Sequence, residues 1–236
     1  MPLPKIAIST FECLRPSTKQ PIKFRPFLVK EEKALLIAKE SGERKDMLNA
    51  IKNVIAACVQ DEEFDVNTIP LFDMEYLFIQ IRARSVDSKI KFKVDDSTDG
   101  KTYDLELDLE EVEVKFPKET DNKVPVTDKI GFTLKYPTPE IEDQLENKTT
   151  DTDIVFATLN SCIDVVYDED NVYKWSEYSN KDKDEFINSL PIEAYNKAQE
   201  FFESMPALEH TVKYTNSEGV EKRVVFRSLE DFFTFY

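Results

Sequence analysis

Glycine is scarce, with four residues in a chain of 236. Phosphate-cradling loops, propeller blades and most doubly wound nucleotide folds need positive φ at several points, so this scarcity argues against them. Histidine is scarcer: His210 stands alone, which removes any zinc cluster, catalytic triad or acid/base pair that needs a second imidazole. The cysteines, Cys13, Cys58 and Cys162, are odd in number and far apart. They form neither a disulfide framework nor a CxxC knuckle, and a reducing compartment fits. No apolar run approaches the roughly 20 residues of a membrane helix, and no GxSxG, P-loop or HExxH sequence occurs. Positive charge is also short. Against 47 Asp and Glu stand 31 Lys and Arg, a net charge of −16, so most of the surface repels polyanions and general nucleic-acid binding is disfavoured.

What remains is enough for a folded body, because 41% hydrophobic and 11% aromatic residues can bury a real core. The charge is unevenly placed. Arg15, Lys19, Lys23, Arg25 and Lys30 fall in a stretch without a single acid, which leaves about −21 on the rest. In "RPSTKQP" two prolines bracket a polar turn, so residues 1–28 read as a β arm or hairpin.

From Val29 to residue 90 the pattern is helical. Met47, Leu48, Ile51, Val54, Ile55 and Cys58 follow the spacing of one buried helix face, and Gly42 in "SGER" predicts a break into two helices. The apolar density from Ile69 to Ile81 predicts a helix buried on most sides. Residues 91–136 read as a β-ribbon segment, where Tyr103, Leu105, Leu107 and Leu109 alternate with Asp104, Glu106 and Asp108 to give an acidic outer face. Residues 137–236 read as helical, ending in a second ribbon turned at "NSEG". Within them Ile154, Val155, Leu159, Ile163 and Val166 stand at helical intervals behind an Asp151 or Asp153 N-cap, and Pro191 suits position N1 of a later helix. The class expected is α+β, a helix-dominated core with an N-terminal β arm and two β-ribbon hairpins, in one domain or two closely packed ones.

The sharpest motif is "DDSTDGKTYDLE". From Asp95 it places Asp95, Ser97, Asp99, Gly100 and Glu106 at the ligand spacing of an EF-hand calcium loop. An EF-hand joins two helices, however, and both flanks here alternate as strands, so a hairpin turn rich in Asp, Ser and Gly is the better reading. No metal or cofactor is expected. Carboxylates are too abundant for their number to nominate a general acid and base.

The wording of "LRPSTKQPIKFRPFLVKEEKALLIAKES", "IPLFDMEYLFIQIRARSV" and "VTDKIGFTLKYP" resembles the baseplate hub assembly family of T-even-like contractile-tailed bacteriophages. Arg15, Pro16, Ser17, Pro21, Ile22, Phe24, Arg25, Pro26 and Phe27 match one family signature. Phe72, Asp73, Glu75, Tyr76 and Arg82 match another. The resemblance implies no enzyme activity but a tail assembly factor in the cytoplasm of the infected host, acting on baseplate hub proteins and the tape-measure protein. The alternative is a permanent baseplate subunit carried into the virion. Residue types agree with binding: a cationic edge bearing Arg15, Lys19, Lys23, Phe24, Arg25 and Phe27 offers ionic and aromatic anchors to an acidic partner or a second copy. For the aromatic ending "LEDFFTFY" core closure is the favoured reading, and Phe232 and Phe233 as partner anchors are the alternative.

Overall fold

The structure, a computed structural model, describes residues 6–117, 121–145, 148 and 150–233, with backbone alone at 230 and 233. Two compact units divide the chain, one from Met1–Lys115 with Ala207–Tyr236, the other from Phe116–Pro206. Helices and small antiparallel sheets both contribute, so the class is mixed α+β.

The first unit opens with a hairpin of β1 (Phe11–Leu14) and β2 (Pro21–Phe24), in which Phe11 pairs with Phe24. Helix α1 (Val29–Ser41) stops at Gly42, whose φ of 70° lets the chain turn into α2 (Arg44–Cys58). The buried face of α2 is Ala50, Ile51, Val54, Ile55 and Cys58, as its periodicity predicts. Helix α3 (Leu71–Ser85) follows Pro70 and is enclosed on most sides, with Leu77, Phe78, Ile79 and Ile81 all fully buried. Each such side chain contributes about 1.5–3 kcal/mol through the apolar area it removes from water.

A ribbon of β3 (Lys89–Asp96) and β4 (Lys101–Asp108) comes next, with Ile90, Phe92 and Leu107 turned inward. Its outer face differs from the acidic one expected. Lys89, Lys91 and Lys93 stand opposite Asp108, Glu106 and Asp104, so the face is a ladder of opposite charges, with Lys89 Nζ 2.8 Å from Glu106. The short strand β5 (Glu113–Lys115) ends this part of the chain.

The second unit has its own core around Phe132, Leu134, Leu159, Cys162, Ile163 and Phe201. It contains β6 (Lys123–Pro125), β7 (Gly131–Leu134), α4 (Ile141–Leu145), α5 (Asp151–Cys162), β8 (Ile163–Tyr167), β9 (Val172–Lys174), α6 (Asn180–Asn188) and α7 (Ile192–Glu203). The four strands form one sheet in chain order. Three local expectations are corrected. Helix α5 stops at Cys162, because Ile163, Val165, Val166 and Tyr167 are β-formers that pair with β7 and β9. Its N-cap is Thr150, whose hydroxyl oxygen accepts from the Asp153 N–H at 3.1 Å. Pro191 is the N-cap residue of α7 and lies one position before N1.

The chain then returns to the first unit as β10 (Ala207–Thr215), β11 (Glu221–Phe226) and α8 (Leu229–Phe233). Strand β10 lies between β11 and β5, and Ala207 pairs directly with Lys115. The second unit is therefore an insertion between two neighbouring strand positions. The sequence segments at 91–136 and 137–236 cut across this arrangement.

Candidate functional site

The turn between β1 and β2 is shaped by its own backbone. Lys19 adopts φ 57°, its N–H donates to Arg15 O at 2.8 Å, and Arg15 N–H donates to Gln20 O at 2.9 Å. This curl carries Ser17 onto α3. There Asp73, fully buried, accepts from the Ser17 N–H at 2.9 Å and from the Ser17 hydroxyl, while the Arg15 guanidinium Nε lies 3.5 Å away. Burial pushes the Asp73 carboxyl above its ordinary range, against the opposing pull of Ser17, Arg15 and Lys19. The two signatures singled out by resemblance thus meet in one joint that fastens the hairpin to α3.

A second joint follows β2. Arg25 Nη2 donates to Glu31 Oε1 at 2.9 Å, and its Nη1 donates to the Pro26 carbonyl at 2.9 Å. The other Glu31 oxygen accepts the Leu28 N–H at 2.8 Å, which satisfies a donor at the start of α1. Burial raises the Glu31 carboxyl, but Arg25, the Leu28 N–H and Lys30 together hold it below the usual carboxylate range.

These contacts correct the expectation of an exposed cationic and aromatic edge. Phe24 is 1% exposed and Phe27 7%, both in the core of the first unit, and Phe24 stacks on Phe11 at 6.2 Å. Period-two alternation explains it: in "PIKF" Ile22 and Phe24 share the buried face, and Lys23 takes the outer one. Arg25 is engaged by Glu31 and Arg15 lies beside Asp73, both half-buried, while Lys19 and Lys23 are exposed. Phe232 is buried 5.4 Å from Phe226, the core closure favoured for the C-terminal aromatics over an exposed anchor. The side chain of Phe233 lies outside the described residues.

The EF-hand-like loop is the tip of the β3–β4 ribbon. Asp99 accepts the Ser217 N–H at 3.0 Å, the Ser217 hydroxyl at 2.8 Å and the Tyr103 hydroxyl. Asp96 accepts from Tyr214 at 3.2 Å. The hydrogen bond from Tyr103 is the chief reason that the Asp99 carboxyl is held below its usual range. One carboxylate at that spacing, Asp99, therefore ties this tip to the turn between β10 and β11, and its neighbour Asp96 ties it to β10. Among the described residues no group of three or more His, Cys, Asp or Glu is arranged to hold a metal ion. His210 Nδ1 sits 3.3 Å from the Glu111 carbonyl. Burial pushes the Cys13 and Cys162 thiols up to about 12 and the Cys58 thiol up to about 11, which keeps them protonated and unreactive.

Two surface features escaped the sequence reading. One is a polar cleft of about 710 Å³ in the second unit, bordered by Lys135, Asn160, Asp164, Trp175 and Lys183. Trp175 Nε1 donates to the Asn160 carbonyl at 2.7 Å, and Lys183 stands 5.7 Å from the centre of its ring. The other is the outer face of α1, where Leu36 and Ile37 are exposed. The signal was present in "ALLIA", since three consecutive apolar residues cannot all face one side of a helix.

No helix among the described residues is long and apolar enough to cross a membrane. Searches among curated proteins and among solved structures give no match. The family model described as T4 bacteriophage base plate protein matches residues 7–234.

Proposed function

The chain belongs to the T4 bacteriophage base plate protein family, and on that premise we propose that it is a non-enzymatic tail assembly factor. In this reading it binds and orders baseplate hub proteins, the tape-measure chain among them, in the cytoplasm of the infected host. The observation that carries the reading is the span of the family match, which takes in both compact units. The distribution of polar groups supports it. Arg15, Arg25, Asp73, Asp96 and Asp99 serve as joints between elements.

The docking edge is narrower than the sequence suggested. Lys19 and Lys23, exposed on the N-terminal hairpin, are the cations offered to an acidic partner. Replacing both with glutamate should leave the circular dichroism spectrum and melting temperature unchanged while hub proteins are lost from pull-downs out of infected cells. Added salt should weaken the wild-type capture as well. Undiminished capture by the double variant would remove these lysines from the interface.

The description of the family as a base plate protein favours a second reading, a permanent structural subunit of the hub. Mass spectrometry of purified virions separates the two. An assembly factor is absent from intact particles or present far below one copy per baseplate, and a subunit is present in fixed stoichiometry.

A further inference from the structure

We propose that the outward face of α1 is a two-fold contact between copies of this chain. The inward face of the helix is Glu31, Leu35 and Ala38, all buried. On the opposite side Val29 is 86% exposed, Leu36 43% and Ile37 56%. Lys33, Leu36, Ile37 and Glu40 occupy positions i, i+3, i+4 and i+7 and so share one face. Lys33 and Glu40 take part in no ion pair among the described residues.

The order of these residues selects the occupant. Read backwards, base, apolar, apolar, acid becomes acid, apolar, apolar, base, so an antiparallel second copy matches where a parallel one clashes. A two-fold axis passing between Leu36 and Ile37 brings the Leu36 and Ile37 side chains of both copies into one apolar layer. It also sets Lys33 of each copy opposite Glu40 of the other, about 5 Å along the helix to either side of the axis. Parallel pairing stacks Lys33 on Lys33. Such self-complementarity is the mark of an isologous contact. With one 13-residue helix from each copy, the buried area falls below that of a standard stable interface, so the dimer belongs in the micromolar range. This reading goes beyond the assembly role and is testable on the isolated protein alone.

Sedimentation velocity of the full chain from about 1 to about 200 µM should show a monomer–dimer equilibrium. Lys33→Glu and Glu40→Lys should each weaken dimerisation about tenfold or more, because each places two like-charge pairs across the axis. Combining the two substitutions should restore dimerisation to near the wild-type level, which a misfolded variant cannot do. Leu36→Ser with Ile37→Ser should abolish the dimer while the melting temperature holds. A wild-type protein that stays monomeric throughout overturns the proposal. So does a dimer indifferent to the single charge changes, or one that the combined swap fails to rescue.

Discussion

Replacing Asp73 with alanine tests whether the hairpin joint holds the first unit together. The carboxylate accepts the Ser17 N–H at 2.9 Å and the Ser17 hydroxyl, with the Arg15 guanidinium at 3.5 Å, and it is fully buried. Two hydrogen bonds to a charged acceptor contribute about 1.5–3 kcal/mol each. Part of that is offset, because burial raises the Asp73 carboxyl and so disfavours the very charge that accepts them. The net loss expected for Asp73→Ala is about 2–3 kcal/mol, whereas Asp73→Asn, which keeps one acceptor oxygen, should lose about half as much. Urea unfolding followed by far-ultraviolet circular dichroism should show it as a midpoint lowered by about 1–1.5 M, given a slope of about 2 kcal/mol/M. Fluorescence of Trp175, the single tryptophan, follows the second unit and serves as the control. The pH dependence has a definite sign. A carboxyl raised in the folded state gives a contribution present below its unfolded value and lost as pH rises through the raised one. The gap between wild type and Asp73→Ala should therefore widen on acidification. A variant within about 0.5 kcal/mol of wild type would refute the joint; a gap that narrows as pH falls would show instead that the hydrogen bonds from Ser17 outweigh the burial of the charge.

Three further outcomes follow from the same structure. Glu31→Ala leaves the largely buried Arg25 without its partner and the Leu28 N–H without an acceptor, and should cost about 2–4 kcal/mol in chemical denaturation. Because the Glu31 carboxyl is held low, its contribution should be present above the unfolded value and lost as pH falls through the folded one, a sign opposite to that of Asp73. Gly131→Ala would place a Cβ 2.9 Å from the Val124 carbonyl and closer still to the Tyr167 hydroxyl. The Trp175 fluorescence transition should then move to lower urea by an amount equivalent to about 1–3 kcal/mol. Replacing residues 116–206 with an Asn-Gly turn should leave the first unit folded, since Lys115 and Ala207 are already cross-strand partners; a chain without a cooperative thermal transition would contradict this.

The elements that the sequence made legible are those whose cause is local. Gly42 breaks α1 from α2 because its φ is positive, α3 is buried because its apolar residues cover most of its circumference, and the hairpins follow period-two alternation and their turns. Charge summed along the segment does not reveal the cationic edge, because exposure there is decided by which face each side chain takes. The alternation of Ile22 and Phe24 with Lys23 already turned one ring inward. The partners of Arg15 and Arg25, Asp73 and Glu31, are glimpsed only when the chain is folded, since one of them lies 58 positions away. Helical spacing through Val166 hid the change to strand at Ile163, where β-branched residues and pairing with β7 override the period. The insertion was invisible because nothing in composition marks two distant residues, Lys115 and Ala207, as neighbours in a sheet.

That neighbourhood also orders events on the ribosome. Residues 116–206 emerge as one continuous stretch and have all their core side chains in hand once Pro206 has been translated. The earlier-made 115 residues lack Leu208, Phe226 and Phe232, all buried in their core, until the last part of the chain appears. At about 5–20 residues per second the wait for the intervening segment lasts roughly 5–20 s. The half of the protein synthesised first is thus the half completed last, and throughout that interval the apolar surface of α3 awaits a strand that does not yet exist.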